Sequence, residues 1–303
     1  MKWLTQARDF LGRHRERLTI AALLLAAALA WGGAWRNTHP TLTVTFLDVG
    51  QGDAILIQGP ERTVLMDAGG VRGADPDRSD VGREVVLPAL LLAGVRRIDA
   101  LILSHAHDDH AAGAVSVVGQ VPVGMLVEPE LPSPALGYQR LLLAAEWRNV
   151  PRVAARAGQV MRLGGGALLY VLHPPLPRVG GTEADLNNNS VIVKVVFGSV
   201  SFLLTGDVED TGETALLQSH PDLRSTVLKV PHHGAATSTT AALLDAVRPQ
   251  LAVISVGENT FGHPSGAVLR RLEKRGVRVL RTDVSGAVTV RTDGRRLWVD
   301  TYR

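Results

Sequence analysis

The chain has 303 residues, of which 46% are apolar. A chain of this size can bury a large core, in one big α/β domain or in two small ones. It has no cysteine, which excludes disulfides and thiolate metal sites, so any metal must be held by imidazole and carboxylate groups. The net charge of +3 is carried by residues 1–17, and the neutral remainder gives no support to broad electrostatic binding of nucleic acid.

The first predicted element is an apolar run at residues 18–34, which follows the basic segment and holds no charge. Its length and the tryptophans near its end predict one membrane helix, an uncleaved signal anchor with the folded domain outside the membrane. Two alternatives stay open: a signal peptide cut after Ala30, which would make the protein secreted, and an ordinary buried helix. We therefore expect an N-terminal basic segment and anchor at 1–35 and a second domain at 36–303.

Strands and helices alternate along the second domain. Leu42, Val44 and Phe46 alternate with threonines, which is the pattern of a half-buried strand. Short apolar runs predict further strands at 54–57, 63–66, 98–103, 167–172, 191–197, 200–204, 226–230, 251–255 and 277–281. Helices are predicted at 83–94, 209–219, 239–247 and 265–275, and a loop at 69–83. This order favours a layered α/β architecture over an all-β fold or a helical bundle.

The polar segment after the predicted strand 98–103 carries the strongest chemical signal. It reads Ser-His-Ala-His-Asp-Asp-His and offers four metal-ligating side chains, which are His105, His107, Asp109 and His110. Ligands in open α/β folds collect beyond the carboxyl ends of strands, where this segment lies. A single divalent ion would hardly need so many ligands from one loop, so the spacing predicts two neighbouring ions.

Two further strand ends supply ligand atoms that could meet this cluster. The predicted strand 200–204 leads into Thr-Gly-Asp207, and the strand 226–230 leads into Pro-His232-His233-Gly. A carboxylate shared by two cations suits Asp207, because two-metal hydrolysis requires ions held about 3.5 to 4 Å apart. The alternative for Asp207 is an ordinary turn aspartate after a glycine.

These motifs and their order resemble a known family. Residues 104–110 match the HxHxDH signature of metallo-β-lactamase-fold hydrolases, and other segments resemble the hydrolase domain of the ComEC competence proteins. Those segments are FLDVGQGD at 46–53, DAGG at 67–70, TGD at 205–207, KVPHHG at 229–234, GHP at 262–264 and RTD at 281–283. The resemblance covers residues 42–300 and implies an αββα sandwich, here preceded by the predicted membrane helix.

The resemblance also implies a centre of two divalent metal ions, Zn or Mn. The implied ligands are His105, His107, Asp109, His110, Asp207, His232 and His233. In that arrangement the first two histidines hold one ion, Asp109 and His110 hold the other, and Asp207 bridges the two. The pair His232-His233 completes the second ion, and the sequence leaves open which of the two is the ligand.

Four residues are candidates for catalysis. Asp109 or Asp207 would orient a metal-activated hydroxide. His263 could protonate a leaving group or bind a phosphate, and its alternative is a residue that shapes a helix start. Lys229 could stabilise an anionic transition state, although a lysine at a strand end is commonly exposed. His173 stays open, either as the additional first-ion ligand that β-lactamases and glyoxalase-type relatives have or as a loop histidine.

Polar residues at neighbouring turns are expected to shape the loops and to support the ligands more often than to bind metal themselves. They are Asp48, Gln51, Asp53 and Asp67, and the asparagines at 187–189 are expected to form a polar turn near the pocket.

The sequence departs from the ComEC pattern in ways that limit what the resemblance implies. The membrane helices that form a channel in full ComEC proteins are absent, so we expect DNA translocation to require a separate channel protein. Alanines stand at 111, 112 and 235, where the family's motifs differ, and we expect an altered pocket lining.

Together these features predict a metal-dependent hydrolase, in the first place a phosphodiesterase or nuclease that acts on DNA outside the membrane during uptake. Alternatives are a hydrolase of another envelope phosphodiester, of a lactone or of a β-lactam. A further alternative is a non-catalytic, membrane-tethered partner of a DNA-uptake channel. The sequence does not indicate an oligomeric state.

Overall fold

The computed structural model describes residues 17, 19–27, 40–71, 80–220 and 222–303. Thr41–Arg303 forms one compact unit, and the helical residues 17 and 19–27 belong to a separate one. Among the described residues, no helix has the length and apolar character needed to cross a membrane. Much of the predicted membrane helix, and the expected boundary after residue 35, lie outside the described residues.

The compact unit is built on two β-sheets. Its strands are β1 Leu42–Phe46, β2 Ile55–Gln58, β3 Thr63–Met66, β4 Ala100–Ile102, β5 Leu126–Glu128, β6 Arg152–Ala154, β7 Val160–Gly164, β8 Ala167–His173, β9 Ile192–Phe197, β10 Val200–Leu204, β11 Val227–Lys229, β12 Leu251–Ile254, β13 Arg278–Arg281, β14 Ala287–Thr292 and β15 Leu297–Tyr302. One sheet has eight strands in the order β15-β14-β1-β2-β3-β4-β5-β6, and the other has seven in the order β13-β12-β11-β10-β9-β8-β7.

Short helices connect the strands. They are α1 Leu87–Leu92, α2 Asp108–Ala111, α3 Ala114–Gln120, α4 Leu136–Trp147, α5 Asp185–Asn188, α6 Asp210–Ser219, α7 Ala241–Val247, α8 Gly266–Glu273 and α9 Thr282–Ser285. A π-helical turn at Gly82–Val86 precedes α1, and a 3₁₀ turn at Pro231–Gly234 follows β11.

The central core lies between the two sheets, because alternate side chains of each strand point inward. In β1 the predicted alternation is observed, with Leu42, Val44 and Phe46 fully buried and the threonines half-buried. These residues share one apolar cluster with Phe202 of β10 and Val193 of β9 from the other sheet.

Two outer cores cover the remaining sheet faces. On the eight-stranded sheet, Leu65 and Leu101 share a cluster with Val117 and Leu141 of the helices α3 and α4. On the seven-stranded sheet, residues of α6, α7 and α8 form the second outer cluster with β10, β11 and β12. The order helix, sheet, sheet, helix is the predicted αββα sandwich, and this prediction is confirmed.

Several elements differ from the predictions. The predicted helix at 83–94 is two elements, a π-helical turn followed by α1, in which Pro88 occupies the first turn, where its missing N–H costs little. The predicted loop at 69–83 ends earlier than expected, because the π-helical turn begins at Gly82. Residues 72–79 of this predicted loop lie outside the described residues. The strands β5, β6, β7, β14 and β15 and the helices α3 and α4 were not predicted at all.

The topology brings the chemically active segments to one edge. The pairs β3–β4, β10–β11 and β11–β12 are parallel, so their carboxyl ends point the same way within each sheet. The segments that follow β4, β10 and β11 are those that carry the predicted metal ligands. This placement agrees with the tendency of α/β folds to bind ligands beyond the ends of their strands.

Candidate metal centre

The backbone changes conformation within the motif after β4. His107 is extended (φ −102°, ψ 153°), and α2 begins at the next residue. His105 and His107 therefore precede the helix, whereas Asp109 and His110 lie on it. This change separates the side chains of one short motif into two groups.

The first group joins two imidazole rings. His105 Nε2 lies 2.9 Å from His107 Nδ1, and the other ring nitrogen of His105 lies 3.0 Å from Ser104 Oγ. His105 is fully buried, and this burial, helped by the nearby His110, lowers the pKa of His105 well below its usual range. Two facing imidazole nitrogens are a donor pair that suits a divalent cation.

The second group contains four buried side chains whose ligand atoms all lie within 4.8 Å of one another. They are Asp109, His110, Asp207 and His233. Asp207 Oδ2 is 3.2 Å from His110 Nε2 and 3.3 Å from His233 Nε2. Asp109 Oδ2 is 3.9 Å from His233 Nε2 and 4.0 Å from His110 Nε2.

Unpaired atoms in this group show that it suits a metal ion. Asp109 Oδ1 and His233 Nε2 are buried and have no hydrogen-bond partner. A buried polar atom without a partner costs about 1 to 3 kcal/mol, and more when it is charged. Because oxygen and nitrogen atoms converge here, a divalent cation would satisfy them together.

Asp207 stands between the two groups. Its Oδ2 also lies 4.0 Å from His105 Nε2, so the same oxygen faces both sets of ligands. Burial alone would raise the pKa of Asp207, but His233, His110 and Lys229 hold it well below its usual range. The position favours the predicted bridging carboxylate over an ordinary turn aspartate.

The two adjacent histidines point in different directions because both adopt left-handed backbone. Their φ values are 48° for His232 and 52° for His233, in the turn after β11. His233 Nδ1 lies 2.8 Å from the Ser255 carbonyl, which directs the other nitrogen to Asp207. His232 is more exposed, at 17%, with Nδ1 3.2 Å from Glu209 Oε1 and Nε2 3.8 Å from Asp207 Oδ2. The structure therefore brings His233, and not His232, into the four-residue group.

A buried carboxylate orients His110. Asp67 Oδ2 lies 2.9 Å from His110 Nδ1, and Asp67 Oδ1 accepts the backbone N–H of Ser104 at 2.7 Å. Burial raises the pKa of Asp67, whereas the pKa of His110 is raised well above its usual range by Asp207 and Asp67 in spite of its burial. Asp67 thus holds a ligand from behind, the supporting role that the sequence predicts for it.

Lys229 is fully buried and lies behind the same carboxylates. Its Nζ contacts Asp53, donates to the Gly206 carbonyl at 2.9 Å and lies 3.4 Å from Asp207 Oδ1. Burial would lower the pKa of Lys229, but Asp53 and Asp207 raise it. The alternative of a solvent-exposed lysine is wrong, and the ammonium is placed to balance Asp207 and Asp53 rather than to reach into a pocket.

His173 lies buried at the end of β8. Its Nδ1 is 2.8 Å from the Ser190 carbonyl, and its Nε2 is buried without a partner. Burial lowers its pKa to about 4, so the ring is uncharged at neutral pH. His173 is thus a buried residue at a strand end, and the four-residue group does not include it.

His263 lies on the far side of His232. The two ring centroids are 5.5 Å apart, and the Nδ1 of His263 is buried without a hydrogen bond. Burial and the neighbouring His232 lower the pKa of His263 to about 4. The structure brings His263 next to the centre but outside both groups of metal-type ligands.

A cavity of about 460 Å³ opens beside the centre, lined among others by His107, Asn187, Glu209 and His232. Asn187 donates to Glu209 Oε1 at 2.9 Å, so the predicted polar turn does reach the pocket. Sequence reasoning missed Glu209, although it stands only two positions after Asp207 and could have been found there. The alanines at 111, 112 and 235 are not among the lining residues, so the expected change of pocket lining is not seen at this cavity.

The turn after β1 supports the site from outside. Gly50 N–H donates to Asp48 Oδ1 at 3.4 Å, and the Gln51 side chain accepts the N–H of Gly257 at 3.3 Å. Both residues shape loops, as predicted.

Comparison with known proteins identifies the family of the chain. The family model described as the Metallo-beta-lactamase superfamily matches residues 47–258. ComE operon protein 3 of Bacillus subtilis (strain 168) is 33% identical over 83% of this chain and 33% of that protein. Competence protein ComA of Neisseria gonorrhoeae is 34% identical over 81% of this chain and 31% of that protein. The chain therefore spans about a third of the length of these relatives.

Solved structures share the fold at low sequence identity. The metallo-beta-lactamase fold protein YhfI from Bacillus subtilis has a TM-score of 0.52 and 11% identity, covering 86% of this chain and 100% of that chain. CmlA, a diiron beta-hydroxylase from Streptomyces venezuelae, has a TM-score of 0.52 and 16% identity, covering 83% of this chain and 54% of that chain. Likeness at these identities concerns the fold alone. Because the family model matches residues 47–258, well over half of the sequence, the chain belongs to the metallo-beta-lactamase superfamily.

Proposed function

We propose that this protein is a hydrolase of phosphodiester bonds that uses two divalent metal ions, Zn or Mn. The observation that carries the proposal is the convergence of buried ligand atoms on Asp207, some of them without any other partner. Members of the superfamily are generally hydrolases, which supports catalysis over a purely structural role.

Each ion would have its own set of ligands from this chain. His105, His107 and Asp207 would hold one ion, with the free Nε2 of His173 as a further donor. The four-residue group of Asp109, His110, Asp207 and His233 would hold the other. When bound, such ions lower the pKa of a water molecule and stabilise charge on the attacked centre.

The protein's own residues would position and balance this centre. Asp67 fixes the His110 ring, and the Ser255 carbonyl fixes the His233 ring. Lys229 neutralises part of the carboxylate charge from behind. Asp109, which has one oxygen without a hydrogen-bond partner, would orient the attacking water. His263 lies on the other side of His232 from the ligands, so it would contact the leaving group or its phosphate only at the edge of the centre.

Single-stranded DNA during uptake is the substrate that we propose. The support comes from relatives that are named for competence, one in Bacillus subtilis and one in Neisseria gonorrhoeae. In keeping with this, residues 1–35 would anchor the protein, residues 36–303 would act outside the membrane, and a separate channel protein would carry the DNA. The charge balance of the chain adds no support to the choice of DNA.

The test is hydrolysis by the full chain with Zn or Mn, using single-stranded DNA and bis-p-nitrophenyl phosphate as substrates. We expect metal-dependent cleavage of both, which is lost in Asp109→Ala. Asp48→Asn, at an exposed turn aspartate outside both ligand groups, is the control and should keep the activity.

Each other result has a defined meaning. Cleavage of the small ester alone would keep the hydrolase and reject DNA as substrate, leaving another envelope phosphodiester. Cleavage of a lactone or β-lactam alone would reject the phosphodiesterase. No turnover and no bound metal would reject the enzyme and favour a non-catalytic partner of a channel.

A further inference from the structure

A short loop after β12 stands beside the metal centre and is held in shape by one side chain. The Asn259 amide donates to the carbonyls of Gly257 at 2.8 Å and His263 at 2.9 Å. Its oxygen accepts the backbone N–H groups of Phe261 and His263, each at 3.1 Å. Gly257 packs so closely on Gly50 that a Cβ would lie 2.5 Å from the Gly50 carbonyl carbon. The loop therefore has a fixed shape without any bound substrate.

This loop presents an aromatic ring to solvent. Phe261 is 59% exposed, and its ring stacks on His263 with the centroids 5.7 Å apart and the planes 30° from parallel. His263 contacts His232 at 5.5 Å between centroids, and His232 Nε2 lies 3.8 Å from Asp207 Oδ2. A row of three rings thus leads from the bridging carboxylate to the surface.

Taking the proposed phosphodiester hydrolysis as its basis, we propose that Phe261, backed by His263, is a stacking platform for a base of single-stranded DNA. The base would belong to a nucleotide next to the phosphodiester at the metal centre. An isolated exposed phenylalanine needs no explanation, but one that is held by a rigid loop at this position has a flat face ready for a ring.

The chemistry of the chain favours stacking as a source of DNA affinity. Outside residues 1–17 the chain has no net charge, so its overall charge gives no support to phosphate neutralisation as the main source of binding. Stacking needs no charge, and it tolerates any sequence because every base has a π-face. Per base it changes affinity by roughly 5-fold to 160-fold.

The experiment compares two probes of equal length, a single-stranded oligonucleotide and the same backbone with abasic sites, on the full chain with Mn. We expect Phe261→Ala to raise KM for the base-bearing probe about 10-fold, to leave kcat within about 2-fold and to leave the abasic probe unaffected. Phe261→Trp should restore the low KM. The salt dependence of binding should be the same in all variants, because no charge is changed.

Two controls separate stacking from other effects. Phe261→Leu keeps an apolar side chain without a flat ring and should behave like Phe261→Ala, which also covers the case that the alanine variant does not fold. Trp147→Ala removes an aromatic ring that is 79% exposed on α4, and it should change KM for neither probe.

The possible failures are distinct. If the wild type cleaves both probes and Phe261→Ala loses nothing, or loses equally on both, the platform is rejected and the hydrolase stands. If the wild type cleaves neither, the proposed function fails, and fluorescence anisotropy of the two probes then decides the platform. Base-dependent binding that is lost in Phe261→Ala would keep the platform, whereas absent or base-independent binding would reject it.

Discussion

Two networks in this protein are built around buried carboxylates, but only in one of them does every carboxylate oxygen have a hydrogen-bond partner. At the end of β5, Glu128 is fully buried, and its carboxylate accepts hydrogen bonds from the N–H of Glu130 at 2.6 Å, from Tyr138 at 3.0 Å and from Arg152 at 2.8 Å. Both oxygens have partners. Such a network holds structure together and calls for no additional group.

The metal centre is also buried and carboxylate-rich, yet its ligand atoms are left open. Asp109 Oδ1 and His233 Nε2, both in the four-residue group, have no hydrogen-bond partner. Burial of charge therefore does not by itself mark a functional site in this molecule. The distinguishing feature is a set of buried ligand atoms that converge in one place, some of them without a hydrogen-bond partner. Substitutions in the two networks test this contrast.

The largest effect is expected at Asp109, a metal-type ligand with an oxygen that has no hydrogen-bond partner. Asp109→Asn should lower turnover of a phosphodiester at least about 1,000-fold, about 4 kcal/mol in activation free energy, because an ion ligand is lost. In chelator the variant should unfold at the same urea concentration as wild type or higher, since its buried atom had no partner to lose. The control is Asp108→Asn, next in sequence, whose Oδ1 accepts the N–H of Gly137 instead. Equal loss of turnover in both variants would contradict the assignment.

Lys229→Met should reduce stability by about 3 kcal/mol, because it leaves the buried Asp53 and Asp207 without their cation. Urea unfolding in chelator measures this. Adding Mn should restore part of the loss, since an ion would neutralise Asp207 but not Asp53. The double variant Asp53→Asn with Lys229→Met should be more stable than Lys229→Met alone, and strict additivity of the two changes would speak against the pairing.

In the satisfied network, Glu128→Ala should cost about 2 kcal/mol of unfolding free energy, because Tyr138 and the N–H of Glu130 lose their acceptor. Turnover per folded molecule should stay at the wild-type level, which separates this network from the metal centre. Arg152→Met should cost less, since the Arg152 side chain is 45% exposed and the pair is screened by water. A change in bound metal in either variant would weaken the contrast.

The smallest effect concerns pH and the buried Glu213 of α6, which accepts the N–H groups of Thr239 at 2.5 Å and Thr240 at 2.9 Å. Burial raises the pKa of Glu213 from its ordinary value of 4.5 in spite of these hydrogen bonds. Between these two pKa values the folded protein keeps a proton that the unfolded chain has lost. The contribution of protonated Glu213 to folding stability is therefore complete below pH 4.5 and is lost as the pH rises through the pKa of the folded state.

Glu213→Gln removes this titration. With a chelator present, the free energy of unfolding of the wild type should therefore fall relative to that of the variant as pH rises from about 4 to about 7. Urea titrations at several pH values measure the difference. A difference that stays constant with pH would show that Glu213 has the same pKa folded and unfolded.

The sequence predicted the kinds of ligand better than their arrangement. The motif at 104–110 and the aspartate after β10 indicated the centre, because metal ligands are few in type and lie at strand ends. The choice between His232 and His233 could not be made, since it depends on two successive left-handed residues that no motif reveals. The burial of Lys229 could not be predicted either, because its partner Asp53 is distant in sequence.

Fold prediction missed the shortest strands and also some longer elements, among them α4 and the hairpin of β14 and β15. The strands β5 and β6 have only three residues each, too few for a periodic pattern to stand out. The hairpin of β14 and β15 was not predicted, although Val288 and Val290 alternate with polar residues, a pattern that indicates a strand. The strands with longer apolar runs, such as β9 and β10, were placed to within a few residues, because a run of apolar residues marks a mostly buried strand.

The pairing of β1 with β14 has a consequence for how the chain folds. Thr45 and Thr289 bond side by side across the sheet at 3.0 Å, although they are 244 positions apart in sequence. During synthesis β1 cannot pair with its second neighbour, β14, until the C-terminal end of the chain has been made. Contacts between residues so far apart in sequence also slow folding. A chain that stops before Ala287 would leave β1 as an open edge, ready to pair with another molecule and aggregate.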